Sequence, residues 1–282
     1  MIFLNQDLVA KFNRDGFCVI PNFLEPKQLT KIDEIYTELG LEKLSEIYSN
    51  IKDRDSKTNK RIDDALVEIY YPSLQKHFIN FRTGGGAFLI KGTGESSVSS
   101  LHQDWNVVDE TKYESVCVWC PLIDVDEHNG CIQIVSGTHK WFSSIRSINI
   151  PSVFLNFEDV KEKLVSVPAK RGDAVIFAHS VFHGSLPNFS NEIRPAASVS
   201  IFSKDASIIH YYKVDNEIHI LDAENFFNDT AHKLFQNEKA SLQVIQKINY
   251  DEEKIITQKT FKKMYSRKIN IINKFFNFIS GK

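Results

Sequence analysis

At 282 residues the chain is long enough to bury a substantial core as one domain with extensions. The 34 Lys and Arg against 36 Asp and Glu leave a formal charge of -2, which argues against a general nucleic-acid binder and its strong basic excess. No apolar run is long enough to span a bilayer, and polar residues interrupt Met1-Ile2-Phe3-Leu4 where a signal peptide would continue, so a cytoplasmic protein without a transmembrane segment is expected.

The first helix is expected from near Asp7 to just before Gly16, and Phe17 to Ile20 reads as a short strand stopped by Pro21. Glu25-Pro26 opens a second helix with proline near its first position. Leu29, Ile32, Ile35, Tyr36 and Leu39 keep that helix's stripe toward a core. Residues 49–60 are almost all charged or polar and read as a solvated loop. From Arg61 another helical pattern runs through Ile62, Leu66, Ile69 and Tyr70, with Pro72 forcing a kink or an end. Gly84-Gly85-Gly86 lacks the Gly-Lys-Ser/Thr ending of a phosphate-binding loop and reads as a flexible entry into a strand from Ala87 to Lys91. Strands follow near 115–123, 131–135, 164–167, 173–178 and 196–203. Many short strands at such spacing predict a sandwich or barrel, here a jelly roll.

Between two of those strands, residues 136–163 carry Trp141, Phe142, Ile145, Ile148, Phe154 and Phe157, more apolar side chains than a solvent loop needs. A lid over the mouth of the barrel and a cover for the outer sheet are equally consistent with that composition. Cys117 and Cys120 have CxxC spacing, but no second pair completes a zinc site and the run around them is strand-like, so the four cysteines are expected to be buried thiols. Val214–Phe227 and Phe261–Phe278 read as mostly helical. The second is basic (Lys262, Lys263, Arg267, Lys268, Lys274) with Ile269, Ile271, Ile272, Phe275 and Phe276 interleaved. An amphipathic helix of that kind docks on its own domain or on a twin subunit, a homodimer contact, more often than on a membrane surface. The expected fold is α+β with a mainly β core: a helical part over 1–83, a jelly-roll core over about 84–204 and a helical extension over about 205–282, all one domain.

The chemistry gathers at His102-Gln103-Asp104. On a strand, alternate side chains share a face, so this triplet points an imidazole and a carboxylate the same way. Alone it is weak, since chance supplies roughly half of one such triplet in a chain with this many histidines, and a surface histidine in a loop is then the better reading. A second histidine comes from His179 or His183, and their spacing of four leaves both open on a strand. His183 stands at the strand's end, where an open site can be reached. Two histidines and one carboxylate form the facial triad of non-haem iron(II) oxygenases. Gly184 to Asn188 reads as the bend of a hairpin, which would bring Arg194 onto the strand beside that site. There its guanidinium could grip a carboxylate through two parallel hydrogen bonds.

From residue 8 to about 204 the sequence resembles the phytanoyl-CoA dioxygenase family of iron(II)/2-oxoglutarate oxygenases. The matching stretches stand in the family's order. They are Phe12 to Leu24, His102-Gln103-Asp104-Trp105, Val118-Trp119 with Pro121 to Asp124, and Asn129-Gly130-Cys131 with Ser136-Gly137-Thr138-His139. Gly172 to Phe177, His183-Gly184-Ser185 with Pro187-Asn188, and Arg194 complete them. Leu101 departs from the family's common Trp, and Ser136 to His139 from its commoner Pro-Gly-Ser-His; neither position is a ligand. The resemblance selects His183 as the second histidine ligand and assigns Arg194 to the distal carboxylate of 2-oxoglutarate. It also puts Ser185 and Trp119 in the co-substrate pocket, and it implies a double-stranded β-helix with the metal in its mouth.

The expected activity is therefore hydroxylation of a C–H bond of a small metabolite, using iron(II), 2-oxoglutarate and dioxygen and releasing succinate and carbon dioxide. Asp104 supports hydroxylation, or a related desaturation or ring closure, because a halogenating relative leaves its position open for chloride. Two alternatives remain at this point: a non-catalytic jelly-roll binding module, and a cupin-like metal enzyme that does not use 2-oxoglutarate.

Overall fold

The computed structural model describes residues 2–40, 46–140, 145–150, 163–224 and 242–250, together with Lys233, Lys259, Lys262 and Lys263. A short strand β1 (Ile2–Phe3) leads into helix α1 (Gln6–Asp15), then β2 (Phe17–Ile20) and α2 (Pro26–Glu38). The Asn5 side chain caps α1 by accepting from the Asp7 and Leu8 amides, and Gly16 ends it at φ 80°. A Cβ on Gly16 would lie 2.5 Å from His139 Nδ1, so that position needs glycine for space as well as for its backbone.

The stretch expected as a solvated loop is instead ordered as β3 (Ile47–Ser49), α3 (Asn50–Asp53) and the first turn of α4 (Ser56–His77). Asp55 caps α4 through the Lys57 and Thr58 amides. Asn50 and Asn59 are wholly buried and satisfied by each other, by the Phe88 amide and by the Arg54 carbonyl. Pro72 neither ends nor divides α4. The carbonyl it cannot serve belongs to Glu68, an exposed residue.

After β4 (Phe78–Ile79) come β5 (Phe81–Lys91), β6 (Ser99–His102), β7 (Ser115–Pro121), β8 (Ile132–Val135), β9 (Leu164–Val167), β10 (Ala174–Ala178), β11 (His183–Ser185) and β12 (Arg194–Ser203). The glycine triplet lies inside β5 and not before it, at a bulge opposite Ser198–Ser200. Gly86 lets α4 approach: its amide donates to Asp63 Oδ1 at 2.6 Å, and a Cβ there would lie 2.9 Å from the Asp63 backbone.

A six-stranded antiparallel sheet runs β2-β10-β7-β12-β5-β3, and a four-stranded one runs β6-β11-β8-β9. The main sheet is buried on both faces. Val116, Val118 and Cys120 of β7, with Ala174 and Ile176 of β10, pack against α1, α2 and α4. The alternate residues Cys117, Trp119, Val175 and Phe177 pack against Ile132, Ile134 and Val167 of the smaller sheet. β2 and β3 join the main sheet, so it draws on residues well before 84.

The described residues 209–222 and 244–249 depart from the helical expectation. β13 (Ile209–Val214), β14 (Glu217–Asp222) and β15 (Val244–Asn249) form a third, three-stranded antiparallel sheet. A two-residue turn with Asp215 at φ 52° joins the first two strands. Ile145 and Ile148 pack beneath this sheet and beside Val107 and Val108. Trp141, Phe142, Phe154, Phe157, residues 225–227 and, apart from Lys262 and Lys263, the final segment 261–278 lie outside the described residues. All four cysteines are buried free thiols. Among the described residues, no helix is long and apolar enough to cross a membrane.

Candidate active site

The two packed sheets enclose a cavity of about 450 Å³, and all six residues singled out from the sequence line it: His102, Asp104, Trp119, His183, Ser185 and Arg194. His102 ends β6 and stands directly opposite His183, which begins β11. Their rings approach to 4.4 Å between centroids. Only the histidine of the triplet is on the strand; Gln103 and Asp104 lie just past its end, so strand alternation is not what aims the carboxylate. Three backbone anchors do so. The Asp104 backbone amide donates to the His179 carbonyl at 2.9 Å, Gln103 Nε2 of the side chain donates to the Ser180 carbonyl, and Arg146 Nε donates to the Asp104 carbonyl at 2.6 Å. Asp104 Oδ1 then lies 3.6 Å from His102 Nε2 and 3.7 Å from His183 Nε2.

Each of these imidazoles is fixed at its other nitrogen. His102 Nδ1 is 2.7 Å from the Ser100 carbonyl, and His183 Nδ1 is 3.1 Å from the Val181 carbonyl. A carbonyl only accepts, so Nδ1 carries the proton and Nε2 presents its lone pair inward. Burial pushes the His183 pKa down to about 4, which keeps that ring neutral near pH 7. Burial opposes the charged form of Asp104 as well, but His183 and His102 outweigh it and hold the carboxyl well below its ordinary range. His102 is pulled down by burial and, more strongly in sum, raised by Asp104 and the Ser100 carbonyl. The three donor atoms lie within 4.8 Å of one another and no fourth such residue joins them among the described residues. Two imidazole nitrogens and one carboxylate oxygen are the donor set of a non-haem iron(II) site, and the residues fit that metal.

His179, the competing histidine, is buried behind this group. Its ring contacts the Ser115 hydroxyl through Nδ1 and the Ser200 hydroxyl, at 3.3 Å, through Nε2. With both nitrogens engaged it is a wall residue whose carbonyl fixes Asp104.

Arg194 reaches the cavity by a different route from the expected hairpin. β11 belongs to the small sheet and β12 to the large one, so residues 186–193 cross between sheets and Arg194 faces the histidines from the opposite wall. Its guanidinium lies over the Trp119 ring, 5.1 Å to the centroid. The residue is 6% exposed, and its Nε and Nη1 have no hydrogen-bond partner. Burial lowers its pKa to about 10, yet the group remains a cation near neutral pH. An enclosed cation with two open donors is suited to a carboxylate, which would offset the cost of burying it. Ser185, 5% exposed, lines the same cavity from β11, the strand that also carries His183.

Sequence reasoning did not single out Arg146. Besides the Asp104 carbonyl it holds Glu110 through Nη2 at 2.6 Å, and its backbone exchanges hydrogen bonds with Asn106. A lone arginine 42 residues from the triplet gives no spacing signal that could have found it.

The model of a family described as phytanoyl-CoA dioxygenase (PhyH) matches residues 12–196. Dioxygenase olcK of Penicillium canescens is 27% identical over 224 residues, 69% of this chain and 69% of that protein. The peroxisomal phytanoyl-CoA dioxygenase of Homo sapiens is 27% identical over 156 residues, but the match spans only 44% of its length and 52% of this chain. Among solved structures, the non-heme alpha ketoglutarate dependent carbocyclase SnoK superimposes with a TM-score of 0.52 at 19% identity, over 73% of this chain and 86% of that one. The epimerase SnoN, solved with Fe3+, alpha ketoglutarate and nogalamycin RO, gives 0.51 at 20% identity, over 72% and 85%. At such identity the two structures share the fold with this chain.

Proposed function

The chain belongs to the phytanoyl-CoA dioxygenase family and is an oxygenase; from that premise we propose that it is an iron(II)- and 2-oxoglutarate-dependent dioxygenase that hydroxylates a C–H bond of a small metabolite. In this reading His102, Asp104 and His183 are the catalytic residues that hold the iron. Arg194, Ser185 and Trp119 bind 2-oxoglutarate. When bound, iron(II) and 2-oxoglutarate supply a two-electron oxidation driven by dioxygen, with succinate and carbon dioxide as by-products. The two facing sheets are read as a double-stranded β-helix, and the chain as one oxygenase domain.

The observation that carries the reading is the pairing of Arg194 with the triad across one cavity. A metal-binding module without a co-substrate has no use for an enclosed guanidinium whose Nε and Nη1 are open. Arg194 orients a dicarboxylate by its far end, and Trp119 keeps the guanidinium plane in place from below. The Nδ1 contacts of His102 and His183 set the tautomer needed for ligation. Gln103, His179 and Arg146 hold the backbone of the triplet, so Asp104 occupies its position before any ligand arrives. Buried Phe177, Ile132 and Trp119 exclude bulk water from the deep end, where the oxidation would otherwise run without substrate. The carboxylate of Asp104 fills the position a halogenating enzyme leaves open, which favours hydroxylation, or a related desaturation or ring closure, over halogenation.

The test is spectroscopic. Under anaerobic conditions, 2-oxoglutarate added to the iron(II)-loaded protein is expected to develop a visible charge-transfer band. Iron binding at the triad with no such band would favour the cupin-like metal enzyme instead.

A further inference from the structure

Within the iron and 2-oxoglutarate reading, the cavity divides into two parts, and the second part defines a substrate class. The deep part is built from buried residues, among them Trp119, Phe177, Ser185 and Arg194. The outer part lies between β3 and β6, the edge strands of the two main sheets, and its lining residues are more exposed. Ile47, Ser49 and Ile51 line it from one side, Ser99 and Trp105 from the other, with Val107 at its base.

The charge inventory of these walls is short. Every lining residue that carries a charge or an imidazole is His102, Asp104, His179, His183 or Arg194. Three of these are the proposed metal ligands, Arg194 is the co-substrate anchor, and both ring nitrogens of His179 are engaged by Ser115 and Ser200. The outer part therefore offers a substrate no lysine, arginine or free carboxylate among the described residues. An ion placed there would lose hydration without gaining a partner. What the outer part does offer is the aliphatic surface of Ile47, Ile51 and Val107, the indole of Trp105, and two hydroxyls. Among the described residues the Ser49 and Ser99 hydroxyls have no hydrogen-bond partner, so each is available to a ligand. Ile47, at 36% exposure, continues the apolar surface to the rim.

We propose that the primary substrate is an uncharged, mainly apolar metabolite bearing a hydroxyl or carbonyl group for Ser49 or Ser99, and that phosphate-bearing thioesters and zwitterionic amino acids are excluded. Such a molecule rests on Trp105 and the two isoleucines, and its polar group fixes which carbon faces the triad.

Matched ten-carbon probes test this: 1-decanol, decanoate and decanoyl-coenzyme A, titrated anaerobically into protein loaded with iron(II) and 2-oxoglutarate. Tryptophan emission, to which Trp105 contributes from the outer part, reports probe binding. The charge-transfer band separately reports the deep part, so absence of the band sinks the co-substrate reading, and the emission titration still decides the substrate class. The expected result is decanol binding at least tenfold more tightly than decanoate or the thioester, with Ile47→Lys narrowing or reversing that preference. Decanoate or decanoyl-coenzyme A binding as tightly as decanol would overturn the proposal, and so would decanol failing to bind up to its solubility.

Discussion

Replacing Arg194 by lysine separates co-substrate binding from metal binding. The wild-type guanidinium is almost fully enclosed and its Nε and Nη1 have no hydrogen-bond partner, so it can meet a carboxylate with charge-assisted N–H donors. Lysine retains the charge, but its ammonium is a point donor that cannot reproduce the fork or the stacking on Trp119. One charge-assisted hydrogen bond lost in a desolvated site costs about 2–3 kcal/mol. That is roughly a thirtyfold to hundred-and-fiftyfold rise in the apparent dissociation constant for 2-oxoglutarate. The assay is a pair of anaerobic titrations, iron(II) alone by calorimetry and then 2-oxoglutarate at the charge-transfer band. Iron affinity should stay within about twofold, because Arg194 faces the triad from the other sheet. An unchanged 2-oxoglutarate titration in Arg194→Lys would refute the assignment and return the binding module to consideration.

Three further outcomes follow from the same geometry. His102→Ala and Asp104→Ala should each abolish stoichiometric iron binding while melting close to wild type, since their side chains are 42% and 34% exposed and neither is a core filler; a collapsed circular dichroism spectrum would mark them as structural. His179→Ala should lower stability by about 1–3 kcal/mol, because it strips the buried Ser115 and Ser200 hydroxyls of a partner, yet keep iron binding and measurable turnover. If it is His179→Ala that loses the metal and His183→Ala that keeps it, the ligand assignment is reversed. Lys91 is wholly buried with its ammonium on the Ser97 carbonyl, and burial, with Arg194 nearby, lowers its pKa to about 7. Between about pH 7 and the ordinary lysine pKa the unfolded chain then holds the extra proton, so stability rises with pH across that window and is lost again as pH falls through 7. Urea melts from pH 7 to 10 should show this rise in wild type and a flatter profile in Lys91→Met; parallel profiles would show that Lys91 titrates normally.

The legible parts of this molecule were those with a local signature. Asn5 and Gly16 bracket α1, Glu25-Pro26 opens α2, and β2 and β9 occupy the residues expected for them. The runs of β7 and β10 look continuously apolar because their sheet is covered on both faces, which is also why they could be found. The failures have physical causes. Residues 49–60 are polar in composition, but Asn50 and Asn59 are buried as a mutually bonded pair, and composition cannot register pairing. Val214 onward was expected to be helical, although Asp215-Asn216 is a two-residue turn signal and Ile218 and Ile220 alternate as in a strand. That signal was available and was outweighed by a false helical period.

The site shows the same division. His102, Asp104, His183 and Arg194 were named from the sequence and all line one cavity, but the route by which Arg194 arrives was not legible. A turn of Gly, Ser, Pro and Asn fits a crossing between sheets as well as a hairpin, and only the strand order tells them apart. Arg146 and Gln103 act on the triplet through backbone carbonyls and leave no mark in the spacing of ionisable residues.

The central claim is that this triad and Arg194 together consume 2-oxoglutarate with dioxygen. Succinate release measures it directly: purified protein with iron(II), 2-oxoglutarate and dioxygen, quenched over time and quantified, beside samples lacking each component. Even without a primary substrate, slow uncoupled turnover should yield succinate that depends on all three and disappears in Asp104→Ala. Iron bound at the triad with no succinate above the iron-free control, even after a broad panel of neutral metabolites is added, would contradict the account.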